Sequence, residues 1–228
     1  MSQQQPLAGA DALVQLDPVF AQMAMSAGHN LWSLPDLTAR EKTFVCLTAD
    51  LCHPHLGTPL AMHIEMASTH DVDSESIREL FRHLAPYVGY PIVVTAFQRL
   101  TELGLPAARD GQPPTTAPLD DTLNDIVREL RTVAPGLAAF TEQQLTQRWT
   151  RPDLSVRERA LACLVVDIFY QTLGPSLQLH SRIARAAGAT EQTFDNLLRA
   201  TAEFGLPRTW AAARALAAAS SPTESSHP

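Results

Sequence analysis

Apolar residues recur three and four positions apart along almost the whole chain, and strict alternation is rare. That is the signature of amphipathic helices rather than strands. The spacing predicts helices over 9–28, 38–53, 57–70, 74–88 and 91–104, and again over 119–133, 137–148, 155–172, 174–187, 190–203 and 207–219. Start signals agree with it. Thr38 and Ser155 are N-cap candidates, each with a glutamate three residues on, Glu41 and Glu158, the spacing of a capping box. Ser74 and Thr190 precede further helices, and Gly57 and Gly174 fall where one helix should stop and the next begin. The fold class expected is all-α.

The pattern is written twice. "WSLPDLTAREK" starts at Trp32 and "WTRPDLSVRER" at Trp149, 117 residues later. Aligned without a gap from Trp32 to His63, the two copies share thirteen of thirty-two positions, among them Cys46/Cys163, Asp50/Asp167 and His63/His180. The period is too long for a solenoid unit, so the chain reads as two tandem copies of one helical domain packed as a pseudo-dimer. The expected divisions are a first copy over 1–105, a Pro-rich linker over 106–118, a second copy over 119–219 and a polar, disordered tail over 220–228.

Composition narrows the function. A net charge of −7 with no basic stripe argues against a nucleic-acid partner. No apolar run has the length of a membrane span, and the polar start "MSQQQPLAGA" lacks the features of a signal peptide, so no membrane role and a cytoplasmic location are expected. Cys46, Cys52 and Cys163 give no even disulfide framework and read as buried thiols. "CHPH", Cys52 to His55, has metal-ligand residue types at no standard zinc spacing, and no metal is expected. Lys42 is the only lysine, so a Schiff base could come only from it or from the N-terminus.

The order of Arg-Glu, a helix, Leu-x-x-His-x-x-x-Ala, a turn, an amphipathic helix and Gly-x-Pro resembles the carboxymuconolactone decarboxylase-like (AhpD-like) superfamily. Here the histidines are His63 and His180, and the closing motifs are Gly89-Tyr90-Pro91 and Gly205-Leu206-Pro207. The resemblance covers about 32–104 and 149–216. It implies helical oligomers, here a trimer of tandem chains mimicking a hexamer, and a pocket beside the histidine that a neighbouring subunit often completes. It also implies either cofactor-free lactone decarboxylation or thiol-based peroxide reduction through Cys-x-x-Cys. The second is excluded, because the cysteine positions before the histidines hold Leu56, Pro59, Leu173 and Ser176, leaving neither attacking nor resolving thiol.

Decarboxylation next to a conjugated lactone needs no cofactor, because the substrate is its own electron sink. The protein supplies a proton, an oxyanion donor and a dry pocket. His63 and His180 are the candidate general acids. Tyr87, Tyr90 and Glu65 are candidates for contacting substrate, with Trp32 either lining the pocket or packing a helix entry. Arg40 and Arg157 either hold a substrate carboxylate or form salt bridges at a helix start. Cys46, Asp50 and His53 share one helix face, where a carboxylate beside a thiol either tunes a site or makes a structural hydrogen bond. The copies differ: Glu203 stands at the place of Tyr87, and Arg182 at that of Glu65. This points to one working pocket in either copy, with Tyr87 and Glu65 favouring the first. The expectation is a cofactor-independent enzyme acting on a small carboxylated lactone or polycyclic aromatic, in aromatic catabolism or natural-product tailoring. The alternative is a non-catalytic scaffold or binding protein that has lost its site.

Overall fold

A computed structural model describes residues 9–108 and 121–220. The proposed linker from 109 onward and the tail from 221 therefore lie outside the described residues. Those that are described form helices and no strands. The first half contains α1 (Ala10–Leu16), α2 (Pro18–Ser33), α3 (Ala39–Cys52), α4 (Thr58–Thr69), α5 (Ser74–Val88) and α6 (Tyr90–Glu102). The second contains α7 (Asp121–Val133), α8 (Pro135–Trp149), α9 (Val156–Tyr170), α10 (Pro175–Ala186) and α11 (Glu191–Ser220). From α2 to α10 the elements repeat in the same order, and α11 corresponds to α5 and α6 run together.

Two helices differ from the spacing prediction. The helix expected over 9–28 is broken at Asp17, whose backbone is extended and whose side chain accepts 2.8 Å hydrogen bonds from the Val19 and Phe20 amides. Pro18 then occupies the first helical position, where its missing N–H costs nothing. The helices expected over 190–203 and 207–219 are continuous except for a kink at Gly205, with Pro207 just beyond. In the first half the corresponding break is complete, because Gly89 takes φ +99°, a region closed to most L-residues.

α3 and α9 form the centre. Every residue of α3 from Glu41 to Cys52, and of α9 from Arg159 to Phe169, is buried, so these helices are enclosed on all sides. They pack on each other. Both capping boxes are formed, and each has a second role. Arg40 Nε donates to Glu158, and Arg157 Nε donates to Glu41 at 2.6 Å. The repeated phrase is thus self-complementary: the arginine of each copy pairs with the capping glutamate of the other, as in a two-fold interface. Arg40 also donates to Ser76 Oγ and the Asp153 carbonyl, and Arg157 to the Asp36 carbonyl.

The outer helices are exchanged. α5 lies against α9 as well as α3, while α11 lies against α3 as well as α9. One buried cluster fastens the first exchange. Glu79 on α5 is fully buried and accepts from Arg151 Nε at 2.8 Å and from Arg159 at 3.2 Å, with Arg82 at 3.4 Å. The second exchange is fastened by Asp36, which accepts from Thr193 and Thr190 at the start of α11.

Candidate active site

Each half presents a histidine on the helix after its glycine turn, facing an aspartate on the central helix. His63 Nδ1 lies 2.7 Å from Asp50 Oδ2, and His180 Nδ1 lies 2.6 Å from Asp167 Oδ2. The carboxylate fixes the orientation of each imidazole through Nδ1. Asp50 was read in the sequence only as a neighbour of Cys46. The signal that finds its partner is the interval of thirteen residues from aspartate to histidine, identical in both copies.

The two dyads sit in different surroundings. His180 is 3% exposed. Trp149 stacks over it with rings nearly parallel, Tyr87 from the other half meets it edge-on at 5.8 Å, and Trp149 Nε1 donates to the Tyr87 hydroxyl at 2.9 Å. His83, fully buried, places Nε2 3.3 Å from Cys163 Sγ. Asp167 additionally accepts from Thr172 and Ser176, each at 2.6 Å. Burial disfavours the charged imidazole, but Cys163 and Asp167 outweigh it and push the His180 pKa up to about 10. Burial, and then Cys163, raise the Tyr87 phenol well above its usual range.

Around His63 the same positions leave space. Trp32, counterpart of Trp149, stacks on His70 at 4.1 Å instead of on the histidine. The result is a cavity of about 160 Å³ lined by Trp32, Cys46, Met62, His63, Met66 and Glu203, among others. Phe204 of α11 approaches the His63 ring at 5.8 Å, as Tyr87 does His180. The places of Thr172 and Ser176 are taken by His55 and Pro59, which offer Asp50 no hydroxyl. Burial accordingly raises the Asp50 pKa, against the opposing effect of His63.

Two further groups complete the pocket. Glu203 is open to solvent on one side, yet partial burial against the pocket wall pushes its pKa up to about 7. Burial drives the Cys46 thiol well above its ordinary value, with Asp50 and Glu203 adding to the effect. Cys46 is therefore a neutral thiol in the wall, and Glu203 is a carboxyl that can exchange a proton near pH 7.

The expected site residues separate. Trp32 and His63 are brought together. Tyr87 is not with them: it belongs to the His180 cluster, because α5 is exchanged. Glu65 lines a different hollow with Asp71 and Asp73, and Tyr90 lines one between α6 and α8. Arg40 is occupied by Glu158, Ser76 and Asp153 at the junction of the halves, which accounts for its guanidinium without a substrate. Lys42 is buried and donates to the Trp32 carbonyl at 2.8 Å. Glu203 was read in the sequence only as the counterpart of Tyr87; its place in the His63 pocket was not, since it arrives from 140 residues beyond that histidine. Among the described residues no three His, Cys, Asp or Glu side chains are grouped to hold a metal ion, and no helix is long and apolar enough to cross a membrane.

An all-helical tandem repeat with an aspartate-backed histidine in each half defines a class, and comparison with known proteins agrees with it. Residues 18–102 and 135–218 each match the carboxymuconolactone decarboxylase family, and the chain belongs to that family. A crystal structure from Burkholderia xenovorans LB400, provisionally described as a gamma-carboxymuconolactone decarboxylase subunit, is similar over 91% of this chain and 89% of that one, with 25% identity and a TM-score of 0.55. No curated protein matches significantly by sequence.

Proposed function

We propose that the chain is a cofactor-independent carboxy-lyase or proton-transfer enzyme acting at His63 on a small, single-ring carboxylated lactone. The observation that carries this is the placement of the Asp50–His63 dyad on a partly open cavity that also holds Glu203. A cavity of about 160 Å³ suits one ring: an engineered cavity of about 150 Å³ takes up benzene. Family membership supports the reaction class.

In this reading the substrate carboxylate leaves as carbon dioxide. The electron pair of the broken C–C bond moves into the conjugated lactone carbonyl. Protonated Glu203 donates a hydrogen bond to the developing oxyanion. Protonated His63, oriented by Asp50, delivers a proton to carbon, and water restores it. Apolar walls from Met62, Met66 and Trp32 exclude bulk water from the carbanion. The closed His180 cluster serves as a structural counterpart. Soluble oligomers of the chain, a trimer among them, belong to the same proposal.

The test is turnover of a panel of carboxylated lactones, read as released carbon dioxide. His63→Asn should abolish it and Glu203→Leu, which removes the donor, should lower it about a hundredfold, the value of a hydrogen bond to a charged group. Full activity in His63→Asn would overturn the reading and leave a binding or scaffold role.

A further inference from the structure

A second hollow, of about 450 Å³, opens between α5, α6 and α8, and shares no lining residue with the His63 cavity. Its floor is apolar: Ala85, Val93, Val94 and Phe97. Its rim carries three arginines, Arg82, Arg148 and Arg151. We propose that this hollow binds an organic anion with a flat apolar body, an aromatic or conjugated carboxylate. This is separate from the reaction proposed at His63 and does not depend on it.

Charge decides the ligand's sign. Arg82, Arg151 and the buried Arg159 all converge on Glu79, and Arg82 also reaches Glu75. With Arg148 added, four guanidiniums face two carboxylates among the described residues. Arg148 is the member without an acidic partner among the described residues. Its guanidinium donates to the Tyr90 hydroxyl, to the Gln147 side chain at 3.2 Å and to the Gln144 carbonyl at 3.4 Å, and its buried Nε has no partner. Tyr90 in turn donates to Gln144 and lies under the guanidinium, 5.6 Å from ring centre to Cζ. Neutral acceptors thus hold the cation in place without neutralising it. The second N–H of its Nη2 is left to donate to a carboxylate oxygen. The exposed faces of Val94 and Tyr90, 56% and 44% accessible, give an aromatic body somewhere to lie.

The feature is confined to one half. Arg148 and Arg151 stand where the first copy has Leu31 and Leu34, both buried there at 2% exposure. Where one half has two leucines in a packed core, the other has two arginines whose heads line a hollow with an apolar floor. Glu79 accounts for Arg151, and no acidic partner among the described residues accounts for Arg148.

The probe is anthracene-2-carboxylate, whose three fused rings exceed the His63 cavity and whose fluorescence reports binding. The anthracene-2-carboxamide is the neutral control. The full-length chain should bind the carboxylate at micromolar to submillimolar concentration and the amide at least tenfold more weakly. Arg148→Leu, which restores the residue of the other copy, should weaken carboxylate binding at least tenfold and leave the amide unchanged. Gln147→Glu, an exposed substitution that sets a carboxylate beside Arg148, should do the same if Arg148→Leu proves poorly folded. Equal affinity for acid and amide, or carboxylate binding unchanged in both variants, overturns the proposal. So does the absence of binding at millimolar probe.

Discussion

Replacing Glu79 by glutamine tests how the halves are joined. The substitution keeps the side chain's shape and one acceptor oxygen but removes the charge that Arg82, Arg151 and Arg159 share. Arg159 is fully buried, with Nε and one terminal nitrogen already unpartnered. Its remaining contacts are the Arg151 and Pro152 carbonyls at 2.8 and 3.2 Å. Burial pulls its pKa down and Glu79 holds it up, so without Glu79 it becomes an uncompensated buried cation. Removing one partner of a buried pair costs about 3–5 kcal/mol. Arg151 and Arg82 are 16% and 25% exposed and can rehydrate, which favours the lower end, about 3 kcal/mol. With a urea m-value of about 3 kcal/mol/M, the unfolding midpoint should fall by roughly 1 M. The double variant Glu79→Gln, Arg159→Met should be more stable than Glu79→Gln alone, because the orphaned cation is gone. A single-variant loss below about 1 kcal/mol, or a double variant less stable than the single one, would show that the cluster does not fasten α5 to the second half.

Other outcomes can be checked together. If Glu203 acts protonated, turnover should fall as pH rises through about 7, and Glu203→Gln should lose that limb from its pH–rate profile. The His180 pKa, raised from 6.5 to about 10, makes its stabilising contribution complete below pH 6.5 and lost as pH climbs through 10. The thermal midpoint should therefore decline over that interval, and the slope should flatten in His180→Asn. His70→Ala removes the ring on which Trp32 stacks. Trp32 should then turn over His63 as Trp149 covers His180, lowering turnover while circular dichroism stays unchanged; unchanged kcat and KM would refute that account of why the pocket is open.

The helices that the periodicity predicted are mostly present because their signals are local: Thr38 with Glu41, Ser155 with Glu158, and the glycines before α4 and α10. The break at Asp17-Pro18 was written just as locally, as an N-cap followed by a proline, but apolar spacing ran across it and hid it. The histidines were legible through repetition, and Asp50 would have been by the same rule. Glu203 and the removal of Tyr87 to the His180 cluster were not. Both follow from the exchange of α5 and α11, a long-range choice that no interval within one copy encodes. The leaning toward the first copy rested on Tyr87 and Glu65, and the structure puts neither beside His63; what sets that pocket apart is instead the orientation of Trp32.

The exchange of α5 and α11 has a consequence for how such a protein can change. In a symmetric pair of identical chains, every substitution is made twice, so loosening one pocket loosens both. Here the covering helices still cross over, but the two halves are encoded separately. A tryptophan can leave one histidine uncovered while its twin stays shut, and two leucines can become arginines on one flank alone. Separate encoding thus frees the two halves from matching residue for residue: one histidine can stand uncovered while its twin stays packed within the shared frame.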